Sequence, residues 1–316
     1  MSPIQRVVTV TLNPAIDQTV CIDGFQPGAV NRVGLVRHNA GGKGVNVASA
    51  LADLQVPTLA TGLLGRENAG PFEELFRAKG IEDRFVRLDG PTRVGIKIVD
   101  GPGGKVTEIN YPGLRPDPSS LEEVFSMLRA HAGPGTWFVL SGSLPSGVPA
   151  EIYGRMVLEI RERGGRVVLD TSGPPLRHAL GKCPEIAKPN QEELEQLSGR
   201  TLGSLAAVAH AAAELVAQGV GLVAVSMGSR GALFADRDGM LLAHPPKVEL
   251  RSTVGAGDAM VAGLVFAQLR GLGLSGAARF ATACGAHAIT RIESGVDLSA
   301  VGELQELVVV ERLRVG

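Results

Sequence analysis

The strongest constraint on the fold is the regular alternation of strand-like and helix-like segments along the chain. Short runs rich in β-branched residues, such as RVVTVTL at residues 6–12 and RVVLDTS at residues 166–172, are predicted strands. Stretches with apolar residues at helical spacing, such as GVNVASALADLQ at residues 44–55, lie between them. Strands without polar alternation, separated by helices, are typical of a parallel sheet that is covered on both sides. We therefore predict an α/β protein with a mostly parallel central sheet and helices on both faces.

Two segments, residues 20–39 and 92–110, break this alternation. They contain short alternating strands, RVGLVRHN, RVGIKIVDG and KVTEIN, which are punctuated by PG and GPGG turn signals. Antiparallel pieces that are inserted into a parallel α/β protein often form a lid. We predict a small β-sheet lid from these two segments, carried by a single domain that spans residues 1–316.

Length and charge limit the classes of function. The 316 residues fit one large α/β domain, and the formal net charge of −1 provides no basic field for nucleic acid or an anionic membrane. The three cysteines form neither a CxxC pair nor a Cys/His cluster, so neither a disulfide framework nor a zinc site is indicated. The first residues lack a signal-peptide pattern, and no apolar run approaches the ~18 residues of a membrane span. We therefore expect a cytoplasmic enzyme with a local site.

The strongest chemical signal is STVGAGDAMVAGLVFAQL at residues 252–269. Gly255, Ala256 and Gly257 can bring backbone N–H groups together at the start of a helix, where the helix dipole favours an anion. Asp258 follows in the first turn. A carboxylate beside an anion hole is what phosphoryl transfer to an alcohol requires, because the carboxylate accepts the hydroxyl proton. The alternative is that Asp258 only caps the helix.

Two further stretches could contact a nucleotide. In KPNQEEL, residues 188–194, Asn190 and Glu193 lie three residues apart at the start of a helix and could hold Mg²⁺ or water near a triphosphate. The spacing alone favours an N-cap and a capping box. In AVSMGSRGALF, residues 224–234, the turn could pass close to a phosphate, and a plain β-hairpin is the equally simple alternative.

Glycine-rich stretches elsewhere do not indicate a nucleotide or dinucleotide loop, although residues 271–276 match the pattern G-x-G-x-x-G. The stretch GGKGVNVASAL, residues 41–51, lacks the spacing of a Walker loop. GLGLSG, residues 271–276, follows a predicted helix, whereas a dinucleotide fold requires a strand there, so we interpret it as a connection between helices. The stretch TLNPAIDQTV ends a predicted strand and places Asp17 at its carboxyl edge, where it could bind sugar hydroxyls or be an exposed turn residue.

The motifs TLNPAID, GGKGVNVA, SGSLPSG, KPNQEEL and STVGAGDAMVAG occur in one order across nearly the whole chain. Together they resemble the ribokinase-like (PfkB) carbohydrate kinases. The TLNPAID and STVGAGD forms resemble the branch that phosphorylates sugar phosphates. Within this branch, VNRVGLVRHNAGGKGVN and KVTEINYPG are most similar to the bacterial 1-phosphofructokinases. One departure is Gly95, where this branch usually has asparagine.

The resemblance implies roles for particular residues. Asp258 would be the catalytic base, with Gly255, Ala256 and Gly257 as the anion hole. Asn190 and Glu193 would organise Mg²⁺ through water. The ATP site would be formed by Lys188, Asn190, Ser226, Met227, Gly228, Ser229, Arg230, Gly231 and Gly257. The acceptor sugar would be held by Asp17, Gly41, Gly42, Lys43, Asn46, Arg93 and Ser143, with Lys43 and Arg93 as partners of its existing phosphate.

The resemblance therefore implies a reaction in which ATP, with Mg²⁺, phosphorylates D-fructose 1-phosphate to D-fructose 1,6-bisphosphate. Tagatose 6-phosphate and fructose 6-phosphate are the alternative acceptors. A dehydrogenase and a non-catalytic sugar-phosphate-binding regulator are the alternatives from other classes. Since an exposed small sheet with apolar alternation needs cover, we also expect a homodimer formed lid against lid.

Overall fold

The computed structural model describes residues 6–100, 105–291 and 295–313. The strands are β1 (Arg6–Thr11), β2 (Ala15–Ile22), β3 (Leu35–Gly41), β4 (Thr58–Gly65), β5 (Glu82–Leu88), β6 (Val94–Asp100), β7 (Lys105–Asn110), β8 (Thr136–Ser141), β9 (Arg166–Asp170), β10 (Ile186–Ala187), β11 (Leu222–Ser226), β12 (Ala232–Asp236), β13 (Gly239–His244) and β14 (Val309–Arg312). The helices are α1 (Lys43–Asp53), α2 (Gly70–Lys79), α3 (Pro118–His131), α4 (Ile152–Glu162), α5 (Gly173–Leu180), α6 (Gln191–Ser198), α7 (Leu205–Ala217), α8 (Ala256–Leu269), α9 (Gly273–Ala288) and α10 (Leu298–Leu307). None of the helices in these ranges is long and apolar enough to cross a membrane.

A ten-stranded sheet forms the centre of the molecule, in the order β14-β13-β12-β11-β10-β9-β8-β1-β4-β5. The pairs from β11 to β5 are all parallel, and β12, β13 and β14 are added antiparallel at one edge. This confirms the predicted α/β class with a mostly parallel sheet. Short turns join β11 to β12 and β12 to β13, and these pairs are antiparallel because a parallel connection needs a crossover of a dozen or more residues. β14 instead reaches β13 after α8, α9 and α10.

Helices cover both faces of this sheet. Successive residues of a strand point to opposite faces, so Val7 belongs to the apolar cluster that includes α1, α8 and α9, while Val8 belongs to the cluster that includes α3, α4 and α7. Both valines are fully buried. Since helices cover both faces, the central strands have no solvent-facing side. This explains why they lack the polar alternation of a surface strand.

A separate four-stranded sheet has the order β3-β2-β6-β7 and contains strands from both inserted segments. Its bounds differ from the prediction, because β2 begins at Ala15 and places Asp17 within a strand rather than at the edge of β1. The pairing also differs, since β2 and β6 are parallel whereas the outer pairs are antiparallel. The predicted GPGG turn lies outside the described residues.

Candidate active site

The carboxyl ends of the central strands form the floor of a cleft beneath the small sheet. Ser141 at the end of β8 pairs in register with Asp170 at the end of β9, and the next turn begins at Gly142. Asp170 is buried, and it receives two ammonium groups: Lys43 Nζ lies 3.1 Å and Lys188 Nζ 3.3 Å from its Oδ1. Open α/β sheets bind their ligands at this edge. The sequence analysis did not find Asp170, although an aspartate ending an apolar strand was a visible signal.

The first turn of α8 carries a buried carboxylate. Gly255 adopts the left-handed conformation, with φ of 80°, and serves as the N-cap of the helix without a side-chain cap. Asp258 therefore does not cap α8. Its Oδ2 instead accepts a hydrogen bond of 2.8 Å from Asn46 Nδ2 of α1. The amides of residues 255–257 and this carboxylate lie together at one helix end.

The surroundings of Asp258 favour its protonated form more than water does. Burial raises its pKa from 3.8 to about 6, and the negative charge of Asp170 adds to this effect. The Asn46 hydrogen bond, Lys43 and Lys188 act in the opposite direction. A carboxylate with a pKa near neutrality is suited to accept a proton in a reaction.

Lys43 connects the two carboxylates. Burial alone would lower the pKa of Lys43, but Asp170, Asp258 and Glu193 together raise it above its usual value. Lys188 reaches the same place from another element, since a Cβ at Gly257 would lie 3.4 Å from Lys188 Nζ. Two cations thus lie between the start of α8 and the end of β9.

Glycines at residues 41–44 allow α1 to start directly against the strand ends. Gly42 has a φ of 112°, which residues with side chains rarely adopt. A Cβ at Gly44 would overlap Thr11 Oγ1 and lie 3.0 Å from the Val10 carbonyl. A Cβ at Gly41 would lie 2.5 Å from Asp17 Oδ2. These glycines therefore bring the backbone close to both the large sheet and the small sheet.

A second polar group lies on the small sheet, next to this glycine turn. Asp17 Oδ2 lies 2.7 Å from Lys97 Nζ, and both side chains are largely buried. Arg93 donates to Asn110 Oδ1 and to the Asn13 carbonyl, each at 3.3 Å. The polar contacts continue to the large sheet, because the Asn13 side chain donates to Ser143 Oγ at 3.1 Å. The sequence analysis did not identify Lys97, Asn110 or Asn13.

The expected nucleotide residues lie together at the start of α6. Asn190 and Glu193 form a reciprocal capping box, as their spacing favoured: Asn190 Oδ1 accepts from the Glu193 amide and Glu193 Oε2 from the Asn190 amide, both at 2.8 Å. Asn190 also bridges to Ser226, where a turn of 3₁₀ conformation joins β11 to β12 as a hairpin. The Arg230 side chain in this turn donates to Gln191.

The residues of the cleft fit a magnesium ion of the kind that nucleotide enzymes use. Among the described residues no three His, Cys, Asp or Glu side chains are grouped as a dedicated metal cage. Mg²⁺ is usually held by one or two carboxylates together with phosphate oxygens and waters, so a cage is not required. Asp170 Oδ2 is buried without a hydrogen-bond partner among the described residues, and Glu193 uses only Oε2 in the capping box. Both carboxylates retain an oxygen for such an ion.

Comparison with known proteins assigns the chain to a family. The family model described as pfkB family carbohydrate kinase matches residues 10–300. A 1-phosphofructokinase of Rhodobacter capsulatus is 49% identical over 91% of both chains, and one of Xanthomonas campestris pv. campestris is 47% identical over 92% of both. Among solved structures, phosphofructokinase-2 from Escherichia coli in complex with fructose-6-phosphate superimposes with a TM-score of 0.89 at 28% identity. The superposition covers 96% of this chain and 98% of the other.

These matches confirm the family resemblance that the motifs indicated. They exclude the dehydrogenase interpretation, in keeping with the position of residues 271–276, which connect α8 to α9 and form the first turn of α9 rather than following a strand. The matched proteins are enzymes, so a purely regulatory role is not the primary interpretation. In agreement with this, the Asp258 carboxylate lies at the start of α8. The chain belongs to the pfkB family of carbohydrate kinases, enzymes that transfer a phosphoryl group from ATP to an alcohol group of a carbohydrate.

Proposed function

We propose that this chain transfers the γ-phosphoryl group of ATP to the 6-hydroxyl of D-fructose 1-phosphate, giving D-fructose 1,6-bisphosphate and ADP. The 1-phosphofructokinase relatives at 47–49% identity over nine-tenths of the chain support this acceptor. The structural observation that carries the proposal is the buried Asp258 carboxylate beside the open amides of residues 255–257. Tagatose 6-phosphate and fructose 6-phosphate are the alternative acceptors.

Asp258 acts as the general base in this proposal. With a pKa of about 6, it is mostly ionised at pH 7 and still basic enough to take the proton of the sugar hydroxyl. The hydroxyl oxygen forms its bond to the γ-phosphorus as the bond between this phosphorus and the ADP oxygen breaks. Asn46 holds the carboxylate in place through its hydrogen bond to Oδ2, and the amides of Gly255, Ala256 and Gly257 stabilise the charge on the transferring group.

The lysines and the remaining carboxylates organise the phosphates. Lys43 and Lys188 are held by Asp170 within the cleft, so their charges are available to the transferring group without a large change in geometry. Asp170 and Glu193 would hold Mg²⁺ together with the ATP phosphates. When bound, the ion neutralises phosphate charge that develops during transfer.

ATP and acceptor occupy opposite sides of this centre. The nucleotide side consists of Lys188, Asn190, Gly257 and the turn formed by Ser226, Met227, Gly228, Ser229, Arg230 and Gly231. The acceptor side consists of Asp17, Gly41, Gly42, Lys43, Asn46, Arg93 and Ser143. The contacts described above support this division, because the first group surrounds the start of α6 and the second surrounds the glycine turn before α1. The use of ATP also supports the predicted cytoplasmic location.

We further propose that two copies of the chain associate through the small sheet. Val36 of β3 and Ile109 of β7 lie on the same apolar face as Val20 and Ile96. The side chains of Val36 and Ile109 are more than two-fifths exposed. Val30, in the connection between β2 and β3, is 85% exposed. A contiguous apolar face of this kind is unusual on a monomer and favours cover by a second copy.

Light scattering tests the dimer. The wild-type protein should have twice the monomer mass at micromolar concentration, and the double variant Val36→Asp/Ile109→Asp should have the monomer mass. Leu158→Asp, on the exposed side of α4, is the matched control and should remain dimeric. A monomeric wild-type protein contradicts the proposal.

A coupled ADP-release assay tests the acceptor. Fructose 1-phosphate, fructose 6-phosphate, tagatose 6-phosphate and unphosphorylated fructose should be compared at equal concentration, with the product of the first identified by ³¹P NMR. We expect the highest kcat/KM for fructose 1-phosphate. A higher value for either 6-phosphate would replace the acceptor while leaving the kinase family unchanged.

A further inference from the structure

The turn that follows β8 carries Ser143, one of the residues proposed for the acceptor side. Ser143 is exposed, and its hydroxyl accepts a hydrogen bond of 3.1 Å from the Asn13 side chain. The residue before it, Gly142, has a φ of 95°, a conformation that residues with side chains rarely adopt. Because Ser143 follows directly, the path of the backbone at Gly142 determines where the Ser143 hydroxyl lies.

Two buried hydroxyl groups hold the carbonyl of Gly142. Tyr153 Oη, in the first turn of α4, donates to this carbonyl at 3.2 Å, and Thr171 Oγ1, directly after β9, donates to it at 2.8 Å. The Tyr153 hydroxyl also lies 3.1 Å from the Ser141 carbonyl. The amide of Gly142 donates to the Asp170 carbonyl at 3.0 Å. Both backbone polar groups of Gly142 are therefore bound by groups at the end of β9 and in α4.

Tyr153 lies in the apolar core below the cleft and not in the cleft itself. Its side chain is fully buried and belongs to the apolar cluster that includes Val124 and Phe138. Burial, together with the negative charge of Asp170, raises the pKa of the Tyr153 hydroxyl, so this group stays protonated and remains a hydrogen-bond donor. Thr171 is only 1% exposed. Neither hydroxyl can touch a bound sugar, and any influence on the sugar must pass through the turn.

We propose that Tyr153 and Thr171 are positioning residues that fix the turn at Gly142 and thereby set the affinity for the acceptor sugar. This inference deepens the proposed function and rests on it, because the proposed function places Ser143 on the acceptor side. A carbonyl oxygen has two lone pairs, and here both are used by buried hydroxyls. When one donor is lost, the other still holds the carbonyl. When both are lost, the carbonyl must turn toward water, and the Ser143 hydroxyl moves with it.

The contacts of the turn confine the expected effect to the acceptor side. The Asn13 residue that donates to Ser143 also accepts a hydrogen bond from Arg93 through its backbone carbonyl. On the nucleotide side, Asn190 and Glu193 are bonded to each other. The Asp258 carboxylate is held by Asn46 of α1, as described above. A shift of the turn should therefore weaken sugar binding and leave both the ATP site and the general base in place.

Kinetic constants of hydroxyl-deleted variants test this inference. Tyr153→Phe and Thr171→Val each remove one donor and keep the shape of the side chain. Loss of one hydrogen bond corresponds to a change of roughly two- to tenfold, so each variant should raise the KM for fructose 1-phosphate by about that factor. The double variant should raise this KM by more than the product of the two single effects, because it removes the last donor. The value of kcat and the KM for ATP should change little in all three variants.

Two further variants distinguish positioning from a general loss of packing. Thr171→Ser keeps the hydroxyl, so its KM for fructose 1-phosphate should stay close to that of the wild type. In a Ser143→Ala background, Tyr153→Phe should have little further effect on this KM, because its influence passes through Ser143. Calorimetric titration with fructose 1-phosphate in the absence of ATP should show the same order of affinities.

Thr58→Val is the matched control. Thr58 is a buried threonine at the start of β4, the end of the strand far from the cleft, and its hydroxyl also donates to a backbone carbonyl, that of Val56 at 2.8 Å. The control should leave every kinetic constant unchanged, whatever its effect on the thermal unfolding temperature. If the double variant does not fold, the two single variants make the same test.

Single variants that lose thermal stability but keep the wild-type KM for the sugar would overturn the inference, since the hydroxyls would then serve folding alone. An equal rise in the KM for ATP would overturn it as well. If the wild type prefers fructose 6-phosphate or tagatose 6-phosphate, the same selective rise is expected for that sugar. In that case the proposed acceptor would be wrong while the positioning role of Tyr153 and Thr171 stood.

Discussion

Replacing Asp258 by asparagine should inactivate the protein and stabilise it at the same time. The substitution removes the proton acceptor, and general-base catalysis contributes about 10²–10⁴-fold to turnover. The asparagine oxygen can still accept the hydrogen bond that Asn46 donates to Asp258 Oδ2, so the local packing is retained. The charge alone is lost, which makes the change in stability informative.

The expected gain in stability follows from the raised pKa. Burial, together with Asp170, raises the pKa of Asp258 from 3.8 to about 6, so the folded protein binds this proton more tightly than the unfolded chain does. The ionised carboxylate therefore destabilises the fold as pH rises from about 4 to about 6. A difference of about 2 pKa units corresponds to about 3 kcal/mol above pH 7, to about half of this at pH 5, and to almost nothing below pH 3.

Urea unfolding at pH 5 and pH 8 measures this difference. Asp258→Asn should be more stable than the wild type by about 3 kcal/mol at pH 8, and the gain should shrink by about half at pH 5. Asp238→Asn, in the exposed turn between β12 and β13, is the matched control and should show no such pH-dependent gain. A variant that is less stable than the wild type at pH 8, or a gain that does not depend on pH, would refute the reasoning.

Three further changes probe the surroundings of Asp258. Asp170→Asn removes the neighbouring negative charge and should move the acid limb of the kcat/KM profile below its wild-type position near pH 6; an unchanged limb would contradict the coupling. Glu193→Gln keeps the N-cap hydrogen bond but loses the charge, so the Mg²⁺ concentration for half-maximal rate should rise without loss of thermal stability. Gly44→Ala should destabilise the fold by about 1–3 kcal/mol in urea, because a Cβ there overlaps the strand end, whereas Gly302→Ala on exposed α10 should not.

The sequence predicted those features that depend on neighbouring residues along the chain. The alternation of strands and helices predicted the central sheet, and the glycines before Asp258 predicted the glycine-capped start of α8. The spacing of Asn190 and Glu193 predicted the capping box that the structure contains. In each of these features the interacting groups lie within a few residues of one another, so the pattern contains both partners.

The features that the sequence did not predict depend on strand order. Asp170 and Lys43 are distant along the chain and meet only because β1 and β9 both flank β8. Likewise, Lys97 reaches Asp17 because β2 and β6 are parallel neighbours, a pairing that short inserted strands do not indicate. The sequence also did not predict that β2 begins at Ala15. The local pattern does not show that the chain passes from the large sheet to the small one within a few residues.

The charged groups proposed for phosphoryl transfer and those proposed for acceptor binding lie on different sheets. Asp170, Asp258 and Lys188 belong to the strands, loops and helices of the large sheet, whose apolar core holds them in fixed positions. Lys97 and Asp17 belong to the small sheet, whose own apolar cluster is far smaller. Changes in the first group should therefore act on turnover, and changes in the second on the affinity for the sugar phosphate. A substitution in the small sheet, as at Gly95, can therefore leave the groups around Asp258 undisturbed.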